Sequence, residues 1–108
     1  MSSVINIGRN IHMPAAVHAY SSELTRAMGI LAEDERVIFL GQAIRFPGTY
    51  MHQTLQNVPM EKRIELPVME EAQLGMSIGM ALAGFVPVSI FPRWNFLLLA
   101  ANQLVNHL

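Results

Sequence analysis

The chain has 108 residues, with eight acidic and seven basic side chains, a hydrophobic fraction of 52% and no cysteine. That length holds one small domain, and its apolar, low-charge composition excludes intrinsic disorder. Scattered basic residues exclude an electrostatic nucleic-acid surface, and the missing cysteines exclude a disulfide frame and thiolate chemistry. A cysteine-free chain whose start, MSSVINIGRN, lacks the apolar core of a signal peptide reads as cytoplasmic.

Residues 1–14 have weak periodicity and end at Pro14, which reads as an irregular lead-in. From Ala15 to Ala32, Val17, Leu24, Met28 and Leu31 recur at helical spacing, although Ser21 or Ser22 can cap a helix that starts later. Glu33 to Arg36 is a charged turn, and Arg36 to Gly41 reads as a buried strand. Gln42 to Met60 is loop-like, punctuated at Pro47-Gly48 and Pro59, with a short amphipathic piece around Tyr50 to Leu55. Lys62 to Leu66 is a second strand, stopped by Pro67.

A helix over Val68–Gly84, a strand over Val86–Phe91 and a last helix over Asn95–Leu108 complete the set. This alternation predicts an α/β fold, three layers with a mainly parallel sheet. Leu74 to Phe91 carries no charge, yet Gly84 and Pro87 interrupt it and Arg93 follows closely, so a buried helix and strand fit better than a membrane span. Gly75, Gly79 and Ala83 are four apart and line one helix face, where another helix can approach closely.

In open α/β sheets, ligands sit beyond the carboxyl ends of the strands. Those ends carry Gln42, Glu70, Glu71, Arg93, Trp94, Asn95 and Phe96, a set suited to a planar, nitrogen-rich ligand. Each has a plainer use: acids in the first turn complement the helix dipole, aromatics fill cores and Arg93 can be solvated. His12, His18, His52 and His107 lack metal-ligand spacing, so no metal site is expected; His52 is the acid–base candidate because its loop lies near the strand tips. Ser21 and Ser22 have no adjacent His and Asp partners for nucleophilic catalysis.

The run from Glu70 through Gly75-Met76 to Gly79-Met80 resembles the glutamate-plus-glycine motif of the pyrimidine-binding domain in thiamine-diphosphate enzymes. With Asp34 to Gly41, Arg63 to Glu70, Pro87-Val88, Asn95-Phe96 and Asn102 to His107, the chain is similar to the β subunit of 2-oxoacid dehydrogenase E1 components. The resemblance implies a transketolase-like domain, with residues 1–15 as lead-in and 16–108 as the domain's N-terminal part. It implies that Glu70 binds the ring nitrogen N1′ of the cofactor's aminopyrimidine as the catalytic acid. Phe96 would pack on that ring, Gln42 would line the site, and the face of Gly75, Gly79 and Ala83 would meet a partner.

The family usually carries an acidic pair where Gln42-Ala43 stand here, and a small glycine where Glu71-Ala72 stand. No Gly-Asp-Gly signature for diphosphate and Mg²⁺ is present, so that half of the site is expected on an α-type partner domain or subunit of a hetero- or homo-oligomer. The resemblance thus implies decarboxylation of a 2-oxo acid within a larger assembly, and inactivity alone. Two-carbon transfer of the transketolase kind and a non-catalytic interaction module on the same fold are the alternatives.

Overall fold

The computed structural model describes residues 15–108. The lead-in and His12 lie outside the described residues. Helix α1 spans Ala15–Leu31, strand β1 Val37–Gly41, a short helix α2 Tyr50–Gln53, β2 Arg63–Glu65, helix α3 Glu70–Leu82 and β3 Val86–Ile90. The expected alternation is there through β3: Ala15, Gly41 and Val86 fall at their expected bounds, and the other ends are trimmed by one or two residues. All strand pairs are parallel in the order β2-β1-β3.

Side chains alternate across β1 and separate its two faces. Phe39 points to a core of Ala32, Val37, Ile44, Leu55 and Val58, against which Met28 of α1 and Met51 of α2 pack. Leu40 and its β3 partner Ser89 turn to the opposite face, where α3 lies. The sheet therefore separates α1 and the 42–60 loop from α3, the layering the alternation predicts.

The tight turn into β1 is set by Asp34, which accepts from the Arg36 backbone N–H at 2.8 Å and the guanidinium at 2.8 and 3.1 Å. These bonds from Arg36 hold the Asp34 carboxyl down at about 2. The long loop after β1 is organised from β2 by Arg63, a buried residue with no carboxylate partner among the described residues. Its guanidinium donates to the carbonyls of Ile44 at 3.1 Å, of Val58 at 2.7 and 3.1 Å, and of Leu55. Burial, and secondarily the charge of Arg45, draws the Arg63 pKa below its ordinary value. Carbonyl oxygens replace the water such a cation loses, and the loop's orphan carbonyls gain donors in turn.

As expected, the uncharged run divides into a helix and a strand: α3 ends at Leu82, Gly84 turns the chain at φ 99° and β3 begins at Val86. One expectation changes: the final segment is not a regular α-helix. Trp94–Ala100 winds tightly with i→i+3 bonds, and Gln103–His107 opens into a wide i→i+5 turn. No side chain caps its start at Arg93, and Ala100 is its one buried residue before Ala101, so neither capping nor packing enforces one winding.

Candidate functional site

Glu70 is the first residue of α3, and it is only 4% exposed. Its carboxylate Oε1 accepts from the Gln42 side-chain amide at 3.4 Å. Oε2 has no hydrogen bond among the described residues, yet it is not one of the wholly enclosed unpaired atoms, which are His52 Nε2 and Gln73 Oε1. Glu70 borders a cavity of about 560 Å³ with Met69, Glu71, Ala72, Gly75, Leu99 and Gln103. A shielded carboxylate with one oxygen held, on a residue that borders a cavity, is suited to bind a donor or share a proton.

Two side chains absent from the sequence reading build this site. Gln73 is completely buried, and its amide nitrogen reaches Ser89 Oγ at 2.9 Å, the Ile90 carbonyl at 2.9 Å and the Leu40 carbonyl at 3.3 Å. It ties the first turn of α3 to the carboxyl ends of β1 and β3 together. Glu65 accepts from three successive backbone N–H groups, those of Ala43 at 2.7 Å, Ile44 at 2.9 Å and Arg45 at 3.0 Å. Those bonds hold Ala43 at φ 57°, a left-handed conformation that a non-glycine residue otherwise resists. The signal for Gln73 was a polar residue one turn after Glu70 inside an apolar run; for Glu65 it was an acid at a strand end.

The other candidates separate into groups. Glu71 accepts from Asn102 at 3.2 Å, which ties α3 to the final segment. The Arg93 guanidinium lies 5.9 Å from the Phe96 ring centroid, and Phe96, 37% exposed, is not one of the residues bordering the Glu70 cavity. Trp94, 85% exposed, and Asn95 instead border a second, apolar hollow with Leu97, Leu98, Ala101 and Leu104. His52 donates its backbone N–H to Thr49 Oγ1 at 3.1 Å in capping α2, and no hydrogen bond joins it to Gln42 or Glu70 among the described residues.

The small-residue stripe is divided too. A Cβ on Gly75 would meet the side chain of the chain's own Gln103 at 3.5 Å, whereas one on Gly79 would meet nothing within 4 Å. Ala83 is exposed. Among the described residues no group of three His, Asp or Glu is placed to hold a metal ion, and no helix is long and apolar enough to cross a membrane.

Residues 15–107 match the family described as "Transketolase, pyrimidine binding domain". The chain is 35% identical over 79 residues to the mitochondrial pyruvate dehydrogenase E1 component subunit beta of Drosophila melanogaster, covering 70% of this chain and 22% of that protein. It is 33% identical over 79 residues to the human protein of that name, covering 70% and 22%. It is 32% identical over 81 residues to the 3-methyl-2-oxobutanoate dehydrogenase subunit beta of Mycobacterium tuberculosis, covering 72% and 23%. The matches thus span less than a quarter of these relatives' length.

Proposed function

The chain belongs to the transketolase pyrimidine-binding-domain family, and from that premise we propose that it supplies the aminopyrimidine-binding half of a thiamine-diphosphate site in an E1 β-type assembly acting on a 2-oxo acid. The observation that carries the reading is Glu70: shielded from water, held through one oxygen by Gln42 and set at the border of a cavity. A carboxylate so placed suits a ring nitrogen that must gain or share a proton. When bound, the cofactor supplies the carbanion chemistry at its own thiazolium carbon. The chain's task is to orient the ring and hold the proton at its N1′ through Glu70.

Phe96 is proposed as the ring's apolar contact, brought closer when the final segment is covered. The diphosphate and Mg²⁺ are assigned to an α-type subunit or domain. Residence in the cytoplasm is proposed from the cysteine-free composition, although several relatives carry mitochondrial names.

The direct test is calorimetric titration of thiamine diphosphate with Mg²⁺ into the chain joined to its diphosphate-holding partner. Saturable binding that needs both components is expected. No binding with any candidate partner overturns the reading in favour of an interaction module, for which the exposed Trp94, Leu98 and Val105 are the favouring observation.

For the partner contact we propose the open part of the α3 stripe, Gly79 and Ala83, with Gly75 adjoining it beside Gln103. Gly79→Leu should leave the isolated chain as stable as before or more so, because a helix-interior glycine costs roughly 1 kcal/mol relative to Ala, the position is exposed and an added Cβ meets nothing within 4 Å. It should abolish co-elution with the partner in size-exclusion chromatography; an intact complex would move the interface elsewhere.

A further inference from the structure

We propose that Gln42 is a positioning residue for Glu70: its side-chain amide holds one carboxylate oxygen and thereby presents the other to the ligand. The inference rests on the reading of Glu70 as the pyrimidine-binding acid and adds how this chain aims it.

Three observations converge on the pair. The contact itself, Gln42 Nε2 to Glu70 Oε1 at 3.4 Å, is the one hydrogen bond Glu70's side chain makes among the described residues. Its length is at the long end for N–H···O, as is common in sites that tighten when filled. The backbone on both sides of Gln42 is immobilised. Gly41 is pressed against the Ile90 carbonyl, and Ala43 is held left-handed by Glu65. Glu70's helix is immobilised as well, because Gln73, one turn on, is fastened to Leu40, Ser89 and Ile90. Two side chains on hydrogen-bonded supports therefore face each other across the tip of β1.

The residue type matters. A carboxylate at position 42 would either repel Glu70 or share its proton. An amide does neither: it donates to the carboxylate and has no acidic proton to exchange. Gln42 thus fixes the orientation of Glu70 and leaves the proton at its free oxygen to the ligand.

The test is a double-mutant cycle on the affinity of the partnered chain for thiamine diphosphate and Mg²⁺, read by calorimetry. Gln42→Met keeps the length of the side chain and removes the donor, and it should weaken binding about tenfold. Glu70→Ala should weaken it more, and adding Gln42→Met to Glu70→Ala should weaken it no further, because Gln42 acts through Glu70. Unchanged affinity in Gln42→Met, or losses that multiply in the double variant, would overturn the proposal. In the chain alone, labelled with ¹³C-glutamate, the Glu70 carboxyl resonance should move in Gln42→Met, and an unmoved resonance would equally overturn it. Unaltered affinity in Glu70→Ala is a different result: it removes the pyrimidine-binding reading itself, and this inference with it.

Discussion

Replacing Glu70 by Gln should lower turnover of the assembled enzyme by about 10² to 10⁴-fold, the range for removing a positioned acid–base group. Gln has nearly the same volume, and its carbonyl oxygen can still accept from the Gln42 amide. The first turn of α3 and its Gln73 fastening should therefore stay in place. What disappears is the capacity of the carboxyl group to take and give a proton. Turnover would be followed with pyruvate and 3-methyl-2-oxobutanoate as probe acids, the substrates named for the relatives. Circular dichroism and melting temperature should match the unsubstituted chain. Activity within tenfold of normal, with the fold intact, would remove Glu70 from the chemistry.

Gly41→Ala should destabilise the chain by about 3 kcal/mol, lowering its melting temperature by roughly 15 °C for a domain of this size. Gly41 closes the central strand, pairs with Glu65 on one side and Ile90 on the other, and accepts from the Leu66 N–H at 2.9 Å. A Cβ there would collide with the Ile90 carbonyl oxygen, a backbone atom that cannot swing aside like the end of a flexible side chain. Relief requires β1 and β3 to separate at their carboxyl ends, where Gln73 bridges them. Ligand affinity should fall together with stability. A variant that melts within 3 °C of the parent would mean that the sheet yields there cheaply.

The strands and helices were legible because their signals are local. The runs 37–41 and 86–90 are short, apolar and bounded by turn residues, and α1 has helical spacing from Val17 to Leu31. The final segment misled because its apolar residues imitate a helix face, although Trp94, Leu98 and Val105 stay largely exposed among the described residues. Its winding is a question of what covers it, and hydrophobic spacing does not carry that information. The expected cluster at the strand ends came apart for a similar reason. Nearness in sequence placed Trp94 with Phe96, whereas the turn after β3 sends Trp94 toward a separate apolar hollow.

By itself the sequence determined the α/β class, the order of elements and the family resemblance, because periodicity, turn residues and a motif of fixed spacing are all read along one chain. The tertiary structure alone decided the pairing of Gln42 with Glu70, 28 residues apart, the fastening of Gln73 to two strand ends, and the shaping of the 43–45 backbone by Glu65. These are contacts between side chains and distant polar groups, made where parallel strands bring their carboxyl ends together. Their strength depends on burial and on partners that no local pattern announces.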